Sequence, residues 1–269
     1  MRLTYLGTAA AEGFPALFCN CKYCVEARRL GGKNIRTRSQ SLVNDDLLID
    51  LPADTYSHFL NNGIEGDRIK TLLITHCHSD HFYPKDLLMR HGAYAHDMRS
   101  PTLKLVASAG TLSVMPDVPP SVEVVTVKAY ETVEVNGYMI TALPARHMLG
   151  SEALFYIVKG DKTLLYAHDT GYFYDEVFEY LKNSGVKVDM ISIDCTYVDI
   201  PVPDNEGHMG FSNIGKLIDD LKGIGAVTDT TVCYVNHFSH NGNPEHERLT
   251  ALAAECGCGA SYDGCCVEF

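Results

Sequence analysis

Apolar residues in this chain come in short runs punctuated by turn chemistry, and the runs alternate between a strand-like and a helix-like period. Leu3–Leu6 reads as a first strand. Ser41–Val43 and Leu47–Ile49 flank Asn44-Asp45-Asp46 as a hairpin. Pro52 to Asn62 predicts a helix, with proline in its first turn and Gly63 at its end. Thr71–Ile74 reads as a buried strand, and Pro84 to His91 as a second helix. Asn136-Gly137 signals a hairpin. Leu154–Val158 and Thr163–Tyr166 pair around Gly160-Asp161, and a helix runs from Asp175 to Asn183 with Gly185 closing it. Met190–Ile193 and Thr231–Val235 are further strands. Ser212 is placed to cap a helix reaching Lys222, and Pro244 to open a last helix that ends near Gly257. Residues 7–38 show little regular pattern. With no repeat, low-complexity tract or linker, the alternation predicts one α/β domain over residues 1–269.

Composition narrows the class. A chain of 269 residues can bury a substantial core. No stretch approaches the ~20 apolar residues of a membrane helix, and the N-terminus runs straight into a strand without a signal-peptide pattern. Ten cysteines in so long a chain argue against a secreted disulfide scaffold, which leads to the expectation of a cytoplasmic protein with reduced thiols, Cys256, Cys258, Cys265 and Cys266 among them. The net charge of −12 argues against a grip on long nucleic acid and favours a small anionic substrate drawn to a local positive charge. Oligomeric state is not written in the pattern; a homodimer is compatible with it.

Two constellations carry chemistry. In Thr75-His76-Cys77-His78-Ser79-Asp80-His81, three imidazoles and a carboxylate follow an apolar strand. Alternate residues point different ways, so His76 and His78 can face one cation while Asp80 and His81 face a second. In Cys19-Asn20-Cys21-Lys22-Tyr23-Cys24, three soft thiol ligands favour zinc, which wants a fourth partner that no nearby cysteine supplies. A zinc there would pin the long, irregular segment 7–38.

On the histidine-rich motif the chain resembles the metallo-β-lactamase superfamily. That resemblance implies a four-layer αββα sandwich with a metal site at the edge of the paired sheets. It further implies His147 as the third ligand beside His76 and His78, Asp169 as a bridging carboxylate, and His237 as the partner of Asp80 and His81. Each lies at the end of an apolar run: Leu143–His147, Thr163–Asp169 and Thr231–His237. The implied cofactors are two divalent ions, zinc or manganese. Asp80 counts as catalytic as well as metal-binding.

The cysteine block, Gly7–Ala10 and Asn34–Ser39 resemble a subgroup typified by a phosphoribosyl cyclic phosphate phosphodiesterase. There the cysteines share a structural zinc with a histidine three residues beyond the last active-site ligand, here His240. The same resemblance makes His208 the acid that protonates a leaving oxygen, although Gly210 stands where serine is commoner in that block. The implied activity is hydrolysis of a small, even cyclic, phosphodiester. Two other readings stay open: a thioester or lactam hydrolase on the same ligands, and an oxidative or carrier protein like that of pyrroloquinoline quinone biosynthesis, which Gly13–Cys24 also resembles. A zinc-binding module without activity is a third. Arg36, Arg38 and Arg146 are candidate phosphate partners. His168 is expected to be structural, and His58, His91, His96 and His246 lack ligand spacing.

Overall fold

A computed structural model describes residues 1–115, 117–147, 150 and 152–269. The first half of the chain supplies β1 (Arg2–Gly7), β2 (Gln40–Val43), β3 (Leu47–Ile49), β4 (Thr71–Leu73), β5 (Leu103–Ala107) and β6 (Val122–Thr126). Then come β7 (Thr132–Val135), β8 (Tyr138–Pro144), β9 (Leu154–Lys159), β10 (Thr163–Ala167), β11 (Met190–Asp194), β12 (Val232–Asn236), β13 (Gly259–Ala260) and β14 (Cys265–Glu268). They form two seven-stranded sheets, ordered β14-β1-β2-β3-β4-β5-β6 and β13-β12-β11-β10-β9-β8-β7.

Period-two alternation decides which side chains lie between the sheets. Leu47 and Ile49 of β3, and Leu164 and Tyr166 of β10, point into the layer between them. Their neighbours Leu48, and Leu165 with Ala167, point outward into separate cores. Both faces of the central strands are buried, so those strands read as continuous apolar runs.

The helices are α1 (Lys22–Leu30), α2 (Thr55–Asn62), α3 (Ala109–Leu112), α4 (Asp175–Ser184), α5 (Phe211–Gly223) and α6 (His246–Glu255). Ile214, Leu217 and Leu221 of α5, Val177 and Leu181 of α4, and Leu249 and Ala253 of α6 bury against the outer face of the second sheet. Phe59 of α2 packs on the outer face of the first. The layering is the expected αββα sandwich. No helix of the described residues is long and apolar enough to cross a membrane.

Local differences have physical causes. α2 begins at Thr55, because its backbone N–H and hydroxyl both bond to Pro52 O, which makes Pro52 a turn residue ahead of the helix. Pro84–Arg90 is a 3-10 helix. The N-cap of α5 is Gly210 rather than Ser212. Its N–H is taken by the Asn213 side chain at 3.2 Å, and a Cβ there would meet Val198 O at 2.8 Å. α6 is capped by Glu245, whose carboxylate accepts the N–H groups of Glu247 and Arg248, each at 3.0 Å. The supposedly irregular segment 7–38 contains α1, whose buried face is only Cys24 and Ala27, too narrow a stripe to show as periodicity.

Candidate metal centre and its neighbours

The C-terminal ends of four strands converge at one edge of the sandwich, and the seven ligands expected for the paired cations sit there. β4 delivers the loop Thr75–His81, β8 leads to His147, β10 to Asp169, and β12 to His237. Thr8, at the end of β1, accepts the Phe238 N–H at 3.0 Å, and Phe238 O accepts the Ala10 N–H at 3.0 Å, stitching the two sheets together beside the site.

The donor atoms fall into the expected groups. Those of His76, His78 and His147 lie within 4.8 Å of one another, as do those of Asp80, His81 and His237. Asp169 lies between them: its Oδ2 is 3.0 Å from His81 Nε2 and 3.1 Å from His237 Nε2, and its Oδ1 is 3.8 Å from His147 Nε2. His76, His81, Asp169 and His237 are buried.

Two aspartates that the sequence reading passed over orient the rings. Asp50, at the end of β3, accepts the Thr75 N–H at 2.8 Å and the His81 Nδ1–H at 2.7 Å. This turns His81 Nε2 toward Asp169. Thr75 Oγ1 lies 3.0 Å from His76 Nδ1 and aims that ring's Nε2 inward. Asp194, at the end of β11, accepts the N–H groups of Asp169, Thr196 and Met209, each at 3.1 Å. Thr196 Oγ1 in turn meets His237 Nδ1 at 2.8 Å. Such outer partners set ring orientation and basicity. The available signal was an aspartate closing an apolar run, in Leu47-Leu48-Ile49-Asp50 and Met190-Ile191-Ser192-Ile193-Asp194.

The residues present fit divalent cations, and the test is internal to the structure. With its Nδ1–H committed to Asp50, a neutral His81 turns a lone pair toward Asp169 Oδ2. That oxygen is buried and has no hydrogen-bond donor. His76 Nε2 and His78 Nδ1 face each other at 2.9 Å, and His81 Nε2 and His237 Nε2 at 3.3 Å. Acceptors facing acceptors in a buried site are costly unless a cation lies among them. A proton gives partial relief: burial opposes charge on His81, but Asp169 and Asp50 outweigh it and push its pKa well up.

His208 stands beside this cluster. Its Nδ1–H donates to Asp194 Oδ2 at 2.9 Å, and its ring stacks on His237 with centroids 5.5 Å apart. Burial opposes its charge, but Asp194 outweighs burial and raises its pKa to about 9. Gly171 lets this loop approach: a Cβ there would lie 1.8 Å from Glu206 O.

Cys19, Cys21, Cys24 and His240 also come together, with His240 Nδ1 at 3.8 Å from Cys21 Sγ and 3.6 Å from Cys24 Sγ. The backbone N–H of Cys24 lowers the Cys21 pKa to about 6, while burial raises that of Cys24 to about 11. This set of three thiols and an imidazole suits zinc. Glu12, also unanticipated, accepts Ser239 Oγ–H at 2.6 Å and the His240 N–H at 3.2 Å, fastening the two loops.

The other candidates have separate duties. Arg36 is buried and donates to Thr8 Oγ1 and Ser261 O, and Arg38 pairs with Asp54. Arg146 Nε donates to Tyr172 O while its guanidinium lies over the Tyr174 ring. His168 bonds Ser192 Oγ at 2.6 Å between the sheets, as a structural residue should.

Comparison with known proteins agrees with this architecture. The model of a beta-lactamase superfamily domain matches residues 49–232, from β3 into β12. No curated protein sequence matches the chain. A diphosphatase of the PhnP family is similar in structure, with a TM-score of 0.77 at 22% identity, over 100% of this chain and 97% of that one. Zn(2+)-bound PqqB from Methylobacterium extorquens has a TM-score of 0.77 at 19% identity, over 100% of both chains. The metallo-beta-lactamase fold protein YhfI from Bacillus subtilis has 0.74 at 15%, over 100% of this chain and 99% of that one. At such identities the likeness is one of fold. The family match spans most of the chain and includes six of the seven converging side chains, all but His237, so the chain belongs to the beta-lactamase superfamily and has its metallo-β-lactamase hydrolase fold.

Proposed function

We propose that the chain is a dinuclear metal-dependent phosphodiesterase acting on a small anionic phosphodiester, with cyclic phosphates among the substrates that fit. The observation that carries the reading is His208, held by Asp194 as a proton donor against the rings of His147 and His237. Alkoxide departure from phosphorus needs a proton.

In this reading His76, His78 and His147 would hold one divalent ion, zinc or manganese, and Asp80, His81 and His237 a second, with Asp169 shared between them. Bound there, the ions supply Lewis acidity and lower the pKa of water toward neutrality. Asp169, buried among imidazoles, would screen the repulsion between two such cations. Asp80 holds its carboxylate at the same edge; burial works against its charge, yet the His81 contact depresses its pKa strongly. With its Nδ1–H committed to Asp194, His208 would donate to the leaving oxygen through Nε2–H. Cys19, Cys21, Cys24 and His240 would hold a structural zinc that ties the N-terminal loop to the loop bearing His237.

The test uses metal-loaded protein with a bis-aryl phosphodiester, a thioester and a lactam assayed side by side. Phosphodiester turnover should dominate. His208→Ala should keep its metals and lose roughly 10²–10⁴-fold in kcat. Turnover of the thioester or lactam alone would reject the assignment, and loss of metal from His208→Ala would make that residue a ligand instead.

A further inference from the structure

The second sheet ends in a cluster of thiols that the hydrolytic reading does not use. β12 and β13 run parallel, with Tyr234 opposite Gly259 and Val235 opposite Ala260. Continuing that register one residue back, just ahead of β13, places Cys233 beside Cys258. Paired residues on parallel strands project to the same face. Both cysteines pack into the core shared with α5 and α6, and neither is disulfide-bonded.

We propose that Cys233 and Cys258 form a redox-active dithiol that closes reversibly to a disulfide on meeting a low-molecular-weight disulfide. Neighbouring strands lie about 4.8 Å apart, within the Cα separation that a disulfide spans, about 4.4–6.8 Å. Closure asks for a small backbone adjustment, and the local structure allows it. β13 has two residues and is the edge strand of its sheet. Gly257, just before Cys258, has a φ of 69°, a conformation glycine adopts without cost.

The two thiols divide the labour. Cys233 is half-buried and reachable, whereas Cys258 is 7% exposed. The S–H contact from Cys258 lowers the pKa of Cys233, and the same contact, with burial, pushes that of Cys258 well up. Cys233 is therefore the attacking thiolate. It displaces one thiolate from the small disulfide RSSR and forms a mixed disulfide. The departing thiolate takes up a proton. Cys258 then gives up its proton and attacks the Cys233 sulfur, expelling the second RS⁻, which is protonated to RSH. In sum, two protein thiols are oxidised and one RSSR is reduced to two RSH. Neither other thiol of this core matches Cys233 as the attacking group: burial raises the pKa of the fully buried Cys195 and, likewise, that of Cys256. The closed form would fasten α6 and β13 to the strand that delivers His237.

The experiment treats metal-loaded wild-type protein with oxidised glutathione, alkylates the remaining thiols and maps the fragments by mass spectrometry. Two fewer alkylated thiols, a linked pair of fragments carrying Cys233 and Cys258, and recovery with dithiothreitol are expected. Cys258→Ser should instead retain a glutathione adduct on Cys233, and Cys256→Ser should still form the link. A link from Cys233 to Cys256 or Cys195 overturns the proposal. So does the absence of any link in the wild type together with no adduct in Cys258→Ser.

Discussion

Asp194 Oδ2 accepts the His208 Nδ1–H at 2.9 Å while the same carboxylate takes the backbone N–H of Asp169 at 3.1 Å. One buried side chain therefore sets both the proton donor and the loop of the shared carboxylate. Asp194→Asn removes the charge that favours protonated His208 and leaves the shape intact. It should lower kcat by roughly 10–100-fold, with metal content by elemental analysis close to that of wild type. Unchanged kcat would separate His208 from the chemistry.

Asp50 acts on the opposite wall. Its contact with His81 Nδ1–H at 2.7 Å fixes which nitrogen faces the site. Asp50→Asn should weaken metal affinity by about 10–100-fold. Competition against a chelator reads this directly, and affinity equal to wild type would show that packing alone orients His81.

Gly171 is a spacing residue. A side chain there would strike Glu206 O at 1.8 Å, so Gly171→Ala must push away the loop that carries His208. Because a displacement of about 1 Å can cost on the order of 10²-fold, the variant should fold, keep its metals and lose most of its turnover. Steady-state kinetics with metal analysis checks it.

The cysteine site should behave independently. Cys24→Ser leaves Cys19, Cys21 and His240 with three soft ligands where zinc wants four. The variant should lose one metal per chain, and the N-terminal loop should become more susceptible to limited proteolysis. Retained stoichiometry with an unchanged cleavage pattern would contradict a structural zinc.

Acid stability offers a fifth measurement. His58 is buried between Thr37 Oγ1 at 2.7 Å and Gln40 Oε1 at 2.6 Å. Burial lowers its pKa to about 4, with Asp54 opposing weakly. The folded state thus keeps His58 neutral while the unfolded chain takes up a proton below about 6.5. Its contribution is complete above that pH and is lost as pH falls toward 4, up to about 3 kcal/mol. Denaturant midpoints at pH 7.5 and 5 should fall further for wild type than for His58→Gln; equal slopes would place the acid sensitivity elsewhere.

Much of the architecture was legible because both sheets are built from strands whose apolar alternation survives on a local scale. Leu3–Leu6, Leu47–Ile49, Leu154–Val158 and Met190–Ile193 all lie in strands of nearly the expected bounds. Edges were less legible. The start of α5 depends on Gly210 fitting against Val198 O, a contact between segments twelve residues apart. α1 escaped notice because its two buried side chains are packed by a loop folded over them, not by a sheet.

The sequence by itself determined the chemistry on offer: imidazoles and carboxylates at strand ends, three thiols in one loop, an acidic chain. Side-chain identity and local periodicity are one-dimensional properties, and they suffice to say what can bind a divalent ion. Only the tertiary structure decided which groups face one another. Asp50 and His81 are 31 residues apart in the chain and hydrogen-bonded in space; Cys24 and His240 are 216 apart and share a cluster. Such pairings are set by strand order and by the packing of one sheet on the other, and no local pattern encodes the distance between two strand ends. That is why Asp194, an ordinary acid at the end of an apolar run, becomes the hinge of the site once β10, β11 and β12 lie side by side.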